Sequence, residues 1–157
     1  MFVPQDPRFE EILRLAGRAA GSGLLDKDRP RWRELCAQLL GEMKAQGPVA
    51  HQRRKNLRAP STFQVHLLAP SDVSGLVASS IGSGGMCVQL DRPLPVGADV
   101  ELSIAVDRKE PLRARAQVVY VLDTFETGMT FIDLVQGDRE RLEAIAVRTL
   151  LARSAAQ

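Results

Sequence analysis

Side chains that carry out chemistry are scarce in this sequence. Its 157 residues include two histidines, two cysteines, one tryptophan and one tyrosine. His51 and His66 belong to no metal-ligand or nucleophile pattern, and the carboxylates fall mostly on helix surfaces and in turns. That argues against an enzyme and predicts no catalytic residue, no metal site and no cofactor. Cys36 lies on an apolar helical stripe and Cys87 in a strand-like run, so both read as small buried hydrophobes. With no disulfide framework expected, a cytoplasmic setting follows. No apolar run reaches the roughly 18 residues of a membrane-spanning helix. Residues Met1 to Asp6 lack the basic and apolar regions of a signal peptide. Neither sign of charge dominates: 21 basic and 19 acidic residues leave +2, which excludes a chain-wide grip on DNA.

What the chain does have is a change of period. Asp6-Pro7 provides a cap and a first-turn proline, and Phe9, Ile12, Leu13, Ala16, Ala19 and Ala20 follow at helical spacing. Asp28 and Pro30 signal a second helix, in which Trp32, Leu35, Cys36, Leu39, Leu40 and Met43 form a stripe that ends at Gly47-Pro48. The spacing predicts helices over 7–20 and 29–46, a hairpin within residues 1–47. From Thr62 the period becomes two. Alternating segments and tight turns then run to Ile132, with no helices between them. Six short strands of this kind predict an all-β core with helical additions, a small antiparallel barrel or sandwich within 48–135. Phe63, Val65, Val100, Leu102, Ile104, Val118 and Phe131 are the expected inward residues. A closing helix within 136–157 is capped by Gly137-Asp138 and buries Leu142, Ile145, Ala146, Thr149 and Leu150. Arg139, Glu140, Glu143 and Arg148 are expected to face water.

Two local features stand out from this framework. His51-Gln52-Arg53-Arg54-Lys55-Asn56-Leu57-Arg58-Ala59-Pro60 carries four cationic side chains within six residues and directly precedes the strands. Neither a helical stripe nor strict alternation runs through it, so it reads as a mobile basic strap at the mouth of the β-domain. The second feature is Ile81-Gly82-Ser83-Gly84-Gly85, which lacks dinucleotide-fingerprint spacing and opens no helix. It reads either as a tight turn or as bare backbone for close approach by another group. Arginine forks bind phosphate oxygens bidentately and stack on nucleobases, so an arginine strap with bare backbone suits a nucleotide.

These residues resemble the PilZ domain family. Arg54-x-x-x-Arg58, preceded by Arg53, fits the family's R-x-x-x-R motif. Ser80-Ile81-Gly82-Ser83-Gly84-Gly85 lies where the family carries D/N-x-S-x-x-G. Leu94 to Val100 and Thr127 to Leu134 are similar to the family's fourth and last strands. The resemblance covers roughly residues 51 to 135. It implies a six-stranded antiparallel barrel, flanked here by the N-terminal hairpin and the C-terminal helix, that receives cyclic di-GMP. The ligand-binding residues it implies are Arg53, Arg54, Arg58, Ser80, Gly82 and Gly85. Ser80 stands where the motif has Asp or Asn, and Gly82 where it has serine, so the second motif is degenerate.

The expected function is that of a cytoplasmic bacterial cyclic di-GMP receptor or adaptor. It passes the signal to a protein partner in motility, chemotaxis or envelope signalling through ordering of the strap. The alternative is a degenerate PilZ module that binds no nucleotide and regulates motility or envelope machinery by protein contact. The two helical stripes are expected to pack on the closing helix, on a second copy of the chain in a homodimer, or on both.

Overall fold

The computed structural model describes residues 2–47, 54–106 and 110–156. The chain forms two compact units, one of Met1–Ala59 with Gln136–Gln157 and one of Pro60–Val135.

The first unit is helical. Helix α1 spans Pro7–Ala20, with the Asp6 side chain accepting from the Arg8 backbone N–H and Pro7 in the first turn. It stops at Gly21, whose N–H donates to the Gly17 and Arg18 carbonyls. A 3-10 turn over Asp26–Asp28 leads into α2, Arg29–Gln46. Asp28 occupies the N-cap position of α2, but its side chain makes no capping hydrogen bond and stands 3.8 Å from Arg18 instead. Helix α3 spans Gln136–Ala155, so Gly137 and Asp138 lie inside its first turn rather than before it. An acidic side chain in the first turn still suits the positive end of the helix dipole.

The apolar stripes of this unit meet in one core. Trp32, Ile12, Leu15 and Leu35 are fully buried there with Ala144, Ala146, Val147 and Leu151. Helix α1 packs chiefly on α3. The closing helix therefore covers the hairpin's apolar residues, and burying them does not require a second copy of the chain.

Of two residues of α3 expected to face water, Glu140 is buried and Glu143 is half-buried. Glu140 is buried at 4% exposure, and its carboxylate accepts from Arg29 Nε at 3.0 Å. Glu143 accepts from the Trp32 indole N–H at 3.4 Å. Both acids are covered because partners reach them from α2, a register that the polar pattern of α3 does not reveal.

The second unit contains the sheet. Its strands are β2 (Gln64–Ala69), β3 (Val73–Gly82), β4 (Gly85–Gln89), β5 (Asp99–Ile104), β6 (Leu112–Val121) and β7 (Glu126–Ile132); β1 (Arg58–Pro60) precedes them. The order is β1-β3-β2-β5-β6-β7-β4, and a further β3–β4 pairing closes all but β1 into a six-stranded ring. Every pairing in the ring is antiparallel.

Alternation sets the inner face. Val65, Val100, Leu102, Ile104 and Val118 are buried as expected, and Ile81, Met86 and Met129 join them. Phe63 and Phe131 are only half-buried. Phe63 lies just before β2 begins, and Phe131 lies near the end of β7. The Gly/Ser cluster is mostly strand. β3 continues through Gly82 and β4 resumes at Gly85, which leaves Ser83 and Gly84 as the turn.

Leu102→Ala should cost about 2–4 kcal/mol in denaturant unfolding, since a fully buried side chain leaves a cavity in a closed barrel. Glu143 yields a second expectation. Burial raises its carboxyl above the ordinary 4.5, with the Trp32 hydrogen bond acting in the opposite direction. The folded state then holds this proton more tightly than the unfolded chain does. The stabilisation is complete below the ordinary value and is lost as pH rises through the raised one. Glu143→Gln should therefore flatten the dependence of stability on pH above about 4.5. An unchanged slope in pH-dependent melting would rule out burial as the cause.

Candidate functional site

The basic strap belongs to the helical unit. Arg53 lies outside the described residues, as does His51. From Arg54 onward the strap is anchored. Leu57 is 3% exposed within the helical core and Ala59 is buried beside it. The expected unpacked strap is thus corrected for these residues, because a single leucine at an otherwise polar position inserts among the helices.

Leu57 fixes the side chains on either side of it. Arg54, Asn56 and Arg58 line one recess on α2 together with Leu40, Met43 and Lys44. Both arginines of the R-x-x-x-R motif thus border one recess, and Lys44, which the motif does not contain, borders it too. Lysine in the last turn of a helix is common for electrostatic reasons alone, so only the fold connects it with the strap. The recess is small, about 10 Å³, so an anion recognised by these arginines would lie on the surface beside it. Lys55 and Asn56 border a neighbouring pocket of about 160 Å³ with Arg33, Cys36, Leu40 and Glu143. Burial pushes the Cys36 thiol well up, so it is protonated and inert at neutral pH.

Ser80, Gly82 and Gly85 belong to the barrel unit and lie together where β3 turns into β4. At Gly85 a Cβ would stand 2.0 Å from the Met129 carbonyl oxygen, so glycine is required for β7 to pass. Gly82 ends β3 in a buried position and Ser80 is half-buried. The register slips between Ala78 and Ser80: Ala78 faces Val88, while Ser80 faces Cys87. Ala78 and Ile81 point into the core at 0% exposure. The extra residue of the bulge therefore directs both Ser79 and Ser80 outward.

Tyr120 pairs with Gly128, and Gly128 with Cys87. A Cβ at Gly128 would lie 2.1 Å from the Tyr120 ring, so the ring rests on bare backbone. The Tyr120 hydroxyl reaches Cys87 Sγ at 2.8 Å. Sequence reading passed over Tyr120 and also Glu126, whose Oε1 accepts from the Ser79 hydroxyl at 3.0 Å. The one legible signal was the pairing of a lone tyrosine with a glycine eight residues later in a hairpin. Among the described residues no cluster of side chains could hold a metal ion, and no helix is long and apolar enough to cross a membrane.

A closed antiparallel barrel with an arginine strap before it and a glycine turn between its second and third ring strands defines a class of domain. The PilZ domain family matches residues 52–148, more than half of the chain, and the chain belongs to that family. The same fold occurs in the Bacillus subtilis inhibitor of motility (MotI/DgrA), with TM-score 0.57 and 18% identity over 65% of this chain and 53% of that one. The match thus spans about half the length of that protein. The PilZ domain with c-di-GMP of YcgR from Escherichia coli is similar at TM-score 0.48 and 17% identity, over 65% of this chain and 93% of that one. The PilZ domain of CeSA from a cellulose-synthesizing bacterium is similar at TM-score 0.42 and 18% identity, over 61% and 95% of the two chains. Among curated protein sequences none matches.

Gly85→Ala should disrupt the β4–β7 pairing, because the obstructing atom is backbone and cannot swing aside. Loss of β-sheet circular dichroism or a large fall in melting temperature is the expected readout. A native-like melting curve would show that β7 can retreat.

Proposed function

We propose that this chain is a bacterial cyclic di-GMP receptor or adaptor that conveys the second messenger to a protein partner. The observation that carries the reading is that Arg54, Arg58 and Lys44 line one small recess beside the buried Leu57. Cyclic di-GMP is an anion with two phosphodiester groups and two guanines. Arginine forks and an ammonium suit the former, and guanidinium planes also stack on the latter. Arg53 completes the cationic set in sequence. Ser80, Gly82 and Gly85, on the barrel unit, are proposed as ligand-binding residues through the second motif, and Gly85 has a structural role as well. The role is binding and transmission, without catalysis or a cofactor, and the proposed setting is the cytoplasm.

Output follows from Leu57. Residues that grip the ligand flank a side chain embedded in the helical core, so ligand binding stabilises that core and changes the surface it offers a partner. Ordering of the strap by ligand, with Leu57 already anchored, is the proposed switch. Motility, chemotaxis or envelope machinery is the proposed destination. The Bacillus subtilis protein of the same fold is described as an inhibitor of motility.

A second reading has its own support. Ser80 is too short to grip a base edge as aspartate does, and Gly82 is buried without a side chain. A module with these substitutions suits protein contact without nucleotide.

Calorimetry with cyclic di-GMP separates the two. Arg54→Ala and Arg58→Ala should each weaken binding by about tenfold or more through loss of a charge-assisted hydrogen bond. Affinity should fall with added salt. Hydrogen exchange over residues 54–58 should slow with ligand. Ser80→Asp should tighten binding by a similar factor. Silence of the parent protein with binding restored in Ser80→Asp would favour the protein-contact reading. Failure of both folded proteins to bind would remove the nucleotide altogether.

A further inference from the structure

A hollow of about 270 Å³ opens in the helical unit, between the last turns of α2 and the last turns of α3. Leu39, Met43, Leu150 and Leu151 give it apolar walls, and the buried Phe2 joins them. Close-packed interiors seldom leave a void larger than a water molecule. An apolar cavity of about 150 Å³ already holds benzene, so this one has room for a longer apolar body. Every residue around it falls outside 52–148, the segment that the PilZ family matches. The hollow is thus an addition made by the flanking helices of this chain.

The polar groups around it differ in how far they are engaged. Glu42 is the acid, and both of its oxygens are taken. Oε2 accepts from the Phe2 backbone N–H at 2.8 Å and Oε1 from the Arg8 guanidinium at 3.2 Å. The Ser154 hydroxyl donates to the Phe2 carbonyl at 3.3 Å. Arg153 and Gln46 complete the rim. Both are exposed, and neither has a hydrogen-bond or ionic partner among the described residues. A cation in the last turn of α3 suits the negative end of that helix, which accounts for the charge but leaves its donors open. The uncommitted charge beside the hollow is therefore positive.

We propose that this hollow binds a small amphipathic carboxylate, its apolar body among Phe2, Leu39, Met43 and Leu151 and its head on Arg153 and Gln46. A guanidinium receives a carboxylate bidentately, and removal of the apolar body from water adds to the affinity. An ammonium head would face Arg153 instead, while Glu42 is already engaged. Met43 links this site to the strap. Its side chain also borders the recess of Arg54 and Arg58, so a body packed against this flexible thioether restricts a residue that the strap shares. Such a link is a coupling between two sites. The carboxylate site stands whether or not cyclic di-GMP binds.

Calorimetry on the full chain tests this with octanoate, octylammonium and 1-octanol, which share an apolar body and differ in the head. Octanoate should bind more tightly than octylammonium by about tenfold or more. Arg153→Gln should weaken octanoate by about tenfold and leave 1-octanol within about twofold of the parent. Leu150→Trp fills the hollow from a half-buried position and should remove binding of all three. Both variants are checked by thermal melting; Arg153 is exposed, so its variant decides the case if Leu150→Trp fails to fold. Hydrogen exchange over residues 54–58 should slow when octanoate is added. No octanoate binding by the folded parent overturns the proposal, which is also the result if the hollow receives a side chain of a partner protein instead. Octylammonium bound as tightly as octanoate, or octanoate indifferent to Arg153→Gln, overturns the assignment of the head. Octanoate binding that survives in folded Leu150→Trp overturns the site. Unchanged exchange over 54–58 with octanoate bound overturns the link through Met43.

Discussion

Closure of the barrel depends on how closely two backbones approach at Gly85. The Met129 carbonyl occupies the space where any side chain at position 85 would begin. That approach brings β4 against β7 and allows β4 to pair with β3 on its other edge. Without it the ring would be open, and Met86 and Met129 would lose the enclosure that keeps both at 2% exposure or less. The same approach creates the outer face. A second glycine, Gly128, lets Tyr120 lie down beside it, and the bulge at Ser79-Ser80 adds two hydroxyls. A glycine that belongs to a ligand motif therefore has a structural duty that would require it even without ligand.

The helical unit has a different constraint. Its core is apolar, yet Glu140 is buried and Glu143 accepts from the Trp32 indole N–H. Arg29 answers Glu140 with Nε at 3.0 Å, and its own affinity for its proton rises chiefly through that hydrogen bond. A buried carboxylate with a hydrogen-bonded partner fixes register more than it adds net stability, since desolvation offsets much of the attraction. Arg29 opens α2 and Glu140 lies in the first turns of α3, so the pair sets how those helices align. Leu57 packs into the core so aligned, and the position of the strap follows from it.

Much of this was legible in the sequence, and the omissions share a cause. Helix limits over 7–20 and 29–46 agree with α1 and α2, because apolar spacing and Pro7, Pro30 and Gly47 act locally. The inner face from Val65 to Val118 follows strict alternation and was equally plain. Glu140 and Glu143 were placed in water because their partners are 111 residues away in sequence. Leu57 was read as part of a mobile run since one leucine shows no period. In the candidate site, Arg54 and Arg58 were visible as a motif, whereas Lys44 joins them only through the packing of α2. Glu126 went unread for the same reason, and Tyr120 showed only its spacing from Gly128, because a β-bulge and cross-strand pairs set their direction.

Reading the second motif as a string makes Ser80 and Gly82 look like losses. On the sheet the same segment looks different. A motif states which side chain sits at which position, whereas recognition requires only that a group of the right chemistry reach a given place. β4 lies between β7 and β3, two strand spacings of about 4.8 Å each, and Glu126 still reaches the Ser79 hydroxyl across it. Glutamate has one methylene more than aspartate, and Ser79 anchors it at the near end. The two kinds of recognition then answer to different physics. In the proposed function, cations of the strap act on phosphate charge, which salt screens over about 10 Å and which every cyclic dinucleotide shares. A carboxylate at a base edge acts through directional hydrogen bonds that guanine can make and adenine cannot.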